Sequence, residues 1–507
     1  MTARAQEAID AALSALEGES ARLVLAPRVE DMGRVVRVGD GVAFVEGLNG
    51  AMIDEVVRFA GGATGQVFDL DRDMAACVLH ESDECVRAGA VVARTGRAPT
   101  MPVGDALLGR VVGALGHPRD GLGPLAAAEE RSVEQEAPGP LDRQPVHQPL
   151  LTGIVAVDAA IPIGLGQREL ILGDRGTGKT SIALDAIINQ RDSGVVCVYV
   201  SIGRKRASVV EVVEELRRHR ALPHTAIVAA DASEPASRRF LAAYAGCTVA
   251  EWFAYRGRHA LVVYDDLTRH AEAYRDLSLT LRRPPGREAY PGDIFSVHAR
   301  LMERGFKLDD ERGGGSVTAL PIIETQRGDI AGFIATNLIS MTDGQLYLDA
   351  GLFSQGQLPA IDIGKSVSRV GRGAQPAIMR EVAANLRLEV AQYEEVKAFA
   401  RFGAMLDEAT TRQIARGQRV VGALTQEERH VAPLLVQVAE LWALRSGHLD
   451  DVEPQALPSF DRQVRALAPG FSQLLPAVMR AGTVDDELAR ELESWVRQAK
   501  AGLGPAV

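Results

Sequence analysis

Eight residues at positions 173–180, GDRGTGKT, pose the first chemical question. Gly173, Gly178, Lys179 and Thr180 carry the G-x-x-x-x-G-K-[ST] spacing, in which glycines let backbone N–H groups curl around phosphate oxygens. Lys179 suits β- and γ-phosphate oxygens, and the Thr180 hydroxyl suits Mg²⁺. Asp174, Arg175, Gly176, Thr177 and Ser181 complete the candidate cradle, with Thr177 and Ser181 adding phosphate or capping contacts. The motif follows an apolar strand-like run, RELILGD, and opens a helical one, KTSIALDAIINQ, whose positive end faces the same phosphates. A bound ATP or ADP with Mg²⁺ is the chemistry this pattern predicts.

The second half of such a site is an acid ending a later apolar strand. HALVVYDD supplies it, with Asp265 as the water-mediated Mg²⁺ ligand and Asp266 as second choice. Cleavage asks for more: a residue, normally a carboxylate, that orients the attacking water. Its common place is the end of the strand after the first helix. Here that strand, GVVCVYVSIG, runs into Arg204, Lys205 and Arg206. A guanidinium cannot act as a base at neutral pH. The sequence therefore predicts a nucleotide held tightly with little or no turnover. Spacing alone leaves Glu288 and Glu324 as alternative carboxylates that could approach in three dimensions, but their polar, loop-like settings favour pairing with nearby arginines.

The elements that must position these groups fall into three zones. Residues 23–92 show short β-rich runs broken by glycine, five or six strands of a small barrel or sandwich. Residues 118–148, rich in Pro, Gly and charge, read as a long connection. From about 150 to 375, Val/Ile runs alternate with helical stretches, the pattern of a largely parallel sheet covered on both faces. Beyond 375 apolar residues recur at helical spacing and the strand signal fades. The fold class is thus multidomain α+β: residues 1–22 a short amphipathic helical segment with Ile9, Leu13 and Leu16 on one side, 23–92 a β-barrel, 93–375 a nucleotide-binding α/β domain, and 376–507 a helical domain.

Composition narrows the class. A chain of 507 residues with a formal charge of −11 argues against a protein whose main business is a nucleic-acid backbone. The four cysteines match no metal spacing, and Cys197 and Cys247 lie in apolar, strand-like surroundings, so buried thiols in a reducing compartment are expected. The N-terminus has no signal-peptide core, and no run approaches the ~20 apolar residues of a membrane span. Membrane association would come through partners.

Long blocks of the chain carry a family likeness. DRQPVHQPLLTGIVAVDAAIPIGLGQRELILGDRGTGKT, YDDLTRHAEAYRDLSLTLRRPPGREAYPGDIFSVHARLMER, GSVTALPIIETQRGDIAGFIATNLISMTDGQLYL and AIDIGKSVSRVG together resemble the α subunits of rotary F-type ATP synthases over nearly the whole length. The resemblance implies a crown-forming barrel, a central RecA-like domain and a C-terminal helical domain. It implies three copies alternating with three β subunits around a rotating γ shaft, with δ and b subunits of the peripheral stalk, on the cytoplasmic face of a bacterial membrane and tied to it through the F0 sector. It implies a non-catalytic Mg-ATP site using Lys179, Thr180 and Asp265, in an enzyme that couples ATP synthesis or hydrolysis to H⁺ or Na⁺ transport. Arg369, in SVSRVG, matches the family's arginine finger, which reaches into the neighbouring β site; read from its own surroundings it would be a loop ion-pair residue. Lys365, Ser366 and Arg372 flank it.

Departures from the family pattern cluster at the nucleotide site. Arg204 stands where α subunits carry a glutamine and β subunits the catalytic glutamate. Leu358 replaces an arginine of the adenine pocket, Gly176 replaces a glutamine, and Glu428 replaces the second of two glutamines of which Gln426 matches the base-contacting first. Such drift resembles a divergent second form of the enzyme, of the kind associated with Na⁺ translocation. A hexameric nucleic-acid translocase also places a small barrel before a RecA-like motor, but residues 23–92 lack the aromatic and basic strip it would need. A self-sufficient export ATPase would need a glutamate at the position of Arg204.

Overall fold

The computed structural model describes residues 31–126, 129–400 and 407–503. The expected N-terminal helix lies outside the described residues. Six strands, β1 (Met32–Gly39), β2 (Val42–Glu46), β3 (Val56–Phe59), β4 (Thr64–Leu70), β5 (Met74–Leu79) and β6 (Val91–Arg94), close into a barrel in the order β1-β2-β5-β4-β3-β6. Alternation makes the closure possible: Val35, Val45, Val57, Val67, Cys77 and Val92 all point into one small aliphatic core.

The segment after the barrel departs from the expected plain connection. β7 (Thr100–Val103) pairs antiparallel with β9 (Glu129–Ser132), and β8 (Val111–Val112) joins the central sheet. The sequence EERS carries no strand pattern because β9 takes its order from its partner. The next residue, Val133, is fully buried and its carbonyl accepts from Thr248 and Arg304. β10 (Pro149–Leu150) and β11 (Ile163–Gly164) form a second short pair, bracketing helix α1 (Val155–Ala160).

The central sheet is built from β12 (Leu170–Asp174), β13 (Val196–Arg204), β14 (Thr225–Asp231), β15 (His259–Asp265), β17 (Ser316–Thr325), β18 (Gly344–Leu348) and β19 (Val367–Ser368), with β16 (Phe306–Lys307) pairing β17. Its order is β19-β18-β12-β17-β15-β13-β14-β8, parallel from β18 to β8, with β19 antiparallel at the edge. Helices α2 (Lys179–Asn189), α3 (Arg206–Arg218), α4 (Ala236–Ala254), α5 (Leu267–Thr280), α6 (Ile294–Glu303) and α7 (Phe333–Met341) supply its connections and cover its faces. Strand alternation divides the core: Cys197 and Tyr199 of β13 pack on the α2 side, Val196, Val198 and Val200 on the α4 side. That two-sided burial is why these strands read as continuous apolar runs. All four cysteines are free thiols; Cys197 and Cys247 are buried, as expected, and burial pushes Cys247 up to about 12.

Because the strands run parallel, Asp174, Arg204, Asp265 and Thr325 all end at one edge of the sheet. Open α/β sheets bind ligands at that edge. The C-terminal region is helical, with Glu408–Leu424, Leu434–Arg445, Leu457–Leu467 and Asp486–Ala501 among its helices, and its core is continuous with the α2 side of the sheet. No described helix is long and apolar enough to cross a membrane.

Candidate nucleotide site

The loop between β12 and α2 is shaped by three glycines with different duties. A Cβ on Gly173 would stand 2.7 Å from the Leu348 carbonyl oxygen and 2.9 Å from Thr177 Oγ1, so β18 leaves it no room. Gly176 and Gly178 adopt φ of +79° and +94°, a region that disfavours any side chain. Gly176 therefore fits its own backbone. Thr177 Oγ1 donates to the Asp174 carbonyl at 2.8 Å, and Asp174 Oδ1 accepts from Thr325 Oγ1 at 2.7 Å and Gly328 N at 2.8 Å, which ties the loop to β17.

Lys179 is buried, and its Nζ donates to the carbonyls of Gly173 at 2.8 Å and Asp174 at 2.6 Å. Burial lowers its pKa, opposed by the carboxylates of Glu324, Asp266, Asp265 and Asp174. Arg175 and Gly176 are exposed at the loop tip, and the Ser181 carbonyl accepts from Arg429 Nη1 at 3.1 Å.

Asp265 is reached across the sheet because β15 lies between β17 and β13. Its Oδ2 accepts from Thr180 Oγ1 at 2.9 Å and from Tyr199 OH at 2.5 Å, so the two expected metal-side oxygens are brought together. Asp266 does other work: its Oδ1 accepts from Arg269 N at 2.8 Å and caps α5, while burial and the adjacent Asp265 charge push its pKa up to about 7. Arg204, at the end of β13, donates through Nη1 both to Thr180 Oγ1 at 2.9 Å and to Asp265 Oδ2. Burial is the largest single influence and works against its charge, but Asp265, Tyr199 and Asp266 together outweigh it and raise its pKa.

Mg²⁺ belongs to the expected site, and hydroxyl and carboxylate oxygens are ligands it accepts. Among the described residues no group of three or more His, Cys, Asp or Glu could hold a metal alone, so such an ion would depend on phosphate oxygens. With a guanidinium bonded to both protein oxygens, the residues as folded do not fit the ion.

Neither alternative carboxylate stands where Arg204 does. Glu324, next to last in β17 and opposite Gly173, is half-buried, its N–H donates to Thr268 Oγ1, and it makes no ion pair with an arginine among the described residues. Glu288 is exposed, 3.7 Å from Arg287, as its arginine-pairing reading expects.

Beside the loop, Ile154, Gly178, Ile182, Leu358, Gln426 and Glu428 help to line a shallow cleft that opens to solvent. Gln426 lines it while its amide is engaged elsewhere. Oε1 accepts from Val155 N at 3.0 Å, and Nε2 donates to the carbonyls of Gly153 at 2.8 Å and His430 at 2.5 Å. Glu428 is exposed. The residue after it, Arg429, holds Asp185 of α2 at 2.9 Å. Arg429, Asp185 and Tyr199 belong to this site without matching any motif of the nucleotide grip. Only the last left a signal, since alternation from Cys197 places it on the α2 face.

Arg369 lies far along the same sheet, just past β19. It is exposed, its N–H donating to the Asp343 carbonyl at 2.7 Å and its Nη2 to the Ile339 carbonyl at 3.2 Å. Its neighbours seat the turn. Ser366 Oγ donates to Asp362 O at 2.7 Å, Lys365 pairs with Asp362 at 3.1 Å, Ser368 Oγ donates to Pro162 O at 2.7 Å, and Arg372 Nη2 donates to Ala384 O at 2.9 Å.

Comparison with known proteins agrees with this arrangement zone by zone. The beta-barrel domain of the ATP synthase alpha/beta family matches residues 28–96, the family's nucleotide-binding domain matches 153–368, and the C-terminal domain of its alpha/beta chains matches 375–499. The chain is 48% identical over 472 residues to an ATP synthase subunit alpha of Aquifex aeolicus (strain VF5), covering 93% of each.

Proposed function

The chain belongs to the ATP synthase alpha/beta family, and from that premise we propose that it is the alpha subunit of the F1 sector of a rotary ATP synthase. It binds ATP or ADP on residues 173–181 without hydrolysing it, and it lends Arg369 to the active site of an adjoining beta subunit. Three copies alternate with three beta subunits around gamma, joined to the peripheral stalk, at the cytoplasmic face of a bacterial membrane. The whole assembly couples ATP synthesis or hydrolysis to ion transport through F0.

The observation that carries the non-catalytic reading is Arg204. The strand end that should present a carboxylate to an attacking water presents instead a guanidinium bonded to Asp265. A cation there steadies phosphate charge and accepts no proton. Thr180 and Asp265 mark the cation side of the triphosphate, and the cleft lined by Leu358 and Gln426 takes the base. An exposed arginine on a turn fixed by four side-chain bonds suits a finger that must reach a neighbouring subunit without collapsing onto its own.

The isolated full chain is expected to bind ATP and release no phosphate above a control lacking protein, measured by equilibrium dialysis beside a phosphate-release assay. Stoichiometric, sustained hydrolysis by the pure chain would overturn the reading.

A further inference from the structure

Arg204 is bonded to the two oxygens on which the cation of a nucleotide site is normally centred. Thr180 Oγ1 accepts from its Nη1 at 2.9 Å and itself donates to Asp265 Oδ2 at 2.9 Å. That same Oδ2 accepts from Arg204 and, at 2.5 Å, from Tyr199 OH. One carboxylate oxygen thus gathers three donors in a place that is 1% exposed. Mg²⁺ would need near-octahedral oxygen ligands at roughly 2.0–2.1 Å, some from this pair. A nitrogen already within hydrogen-bond distance of both oxygens fills that space.

The guanidinium also brings what a phosphate chain requires. It is permanently charged, and it carries five N–H donors. Only Nη1 makes a hydrogen bond among the described residues, which leaves Nη2 and Nε for ligand oxygens. Its side chain is 32% exposed, whereas that of Asp265 is 1% exposed. Lys179 and the N-terminus of α2, of which Thr180 is the second residue, add further positive character.

We propose that Arg204 is the resident cation of this site, standing between Thr180 and Asp265 in place of a divalent ion, so that a nucleoside triphosphate binds here without requiring divalent metal. The proposal rests on the reading of residues 173–181 as a nucleotide grip. In it, binding moves no metal ligands. The triphosphate enters with its own charge, meets Lys179 on one side and the free guanidinium nitrogens on the other, and leaves the Arg204–Asp265 pair intact.

The test is equilibrium dialysis of radiolabelled ATP against the purified full chain, once in excess EDTA and once in millimolar Mg²⁺. The wild-type dissociation constants are expected to agree within about threefold, and Arg204→Gln is expected to bind at least about tenfold more weakly in EDTA than in Mg²⁺. Desalted wild-type complex formed in Mg²⁺ should hold well under one magnesium per bound ATP by elemental analysis. A wild-type constant that rises about tenfold or more in EDTA overturns the proposal while leaving the nucleotide grip standing. So does one retained magnesium per ATP, or an Arg204→Gln chain as indifferent to metal as the wild type. Absence of ATP retention by the wild type in both buffers overturns the nucleotide grip itself, and this proposal with it. Should the glutamine variant fail to fold, the wild-type comparison and the magnesium content still decide.

Discussion

Replacing Arg369 by alanine should separate catalysis from stability more sharply than any other change in this chain. The side chain is exposed, and its one hydrogen bond among the described residues is the 3.2 Å contact from Nη2 to the Ile339 carbonyl. The backbone bond to Asp343 and the anchors at Ser366 and Ser368 do not involve it and survive the substitution. The cost to folding is therefore that of a surface substitution, within about 0.5 kcal/mol. An arginine finger acting on a neighbour's phosphoryl group is worth roughly 10³–10⁵ in rate. At 1.36 kcal/mol per tenfold that is about 4–7 kcal/mol of transition-state stabilisation. The two magnitudes differ by about an order, so they cannot be confused. The assay is steady-state ATP hydrolysis by the alpha–beta–gamma complex, with assembly followed by size-exclusion chromatography and the melting point of the free variant alongside. Arg369→Lys should fall between, since an ammonium keeps the charge and loses the planar fork. Full multisite turnover by an assembled alanine variant would refute the assignment, and so would a loss matched one-for-one by failed assembly.

Three further outcomes follow from particular contacts. Arg304→Met should lower stability by about 3–5 kcal/mol, read as a large fall in unfolding midpoint, because it strands Glu251, which is 0% exposed and held by two 2.7 Å bonds; adding Glu251→Leu should recover most of the loss. Gly173→Ala should weaken ATP binding at least about tenfold, since the new methyl meets Leu348 O and Thr177 Oγ1 inside contact distance; unchanged dialysis constants would contradict it. Burial, and then Arg238, depress His80 from 6.5 to about 3, so its stabilisation of the fold is whole above pH 6.5 and drains away as the pH falls toward 3. His80→Leu should therefore lose about 1.4 kcal/mol less stability than the wild type between about pH 7.5 and 5.5, by denaturant titration at each pH.

Local periodicity along the chain encodes the elements that act over short stretches. The phosphate loop, the strand before it and the helix after it were legible because glycine spacing, an apolar run and helical recurrence each act over a few residues. The barrel was legible for the same reason, from Val and Gly repeating at short intervals, and so were the buried thiols at Cys197 and Cys247. Pairing between distant segments was not. EERS became a strand only because Thr100–Val103 offered it an edge, with Val133 buried at its end. Gln426, matched to a base contact by resemblance, has its amide bonded to the backbone at Gly153, Val155 and His430, which lie together only once the C-terminal region is docked.

Arg204 shows the division most plainly. Its identity, and the missing carboxylate, could be read from one position in a chain of 507 residues. Its destination depended on sheet order: β17 and β15 separate β12 from β13, so the end of β13 faces Asp265 directly and reaches Thr180 on α2 beyond it. Residue type fixed the charge and the number of donors, while non-local strand pairing fixed which oxygens received them, because hydrogen bonds between strands carry no signature in the sequence of either strand alone.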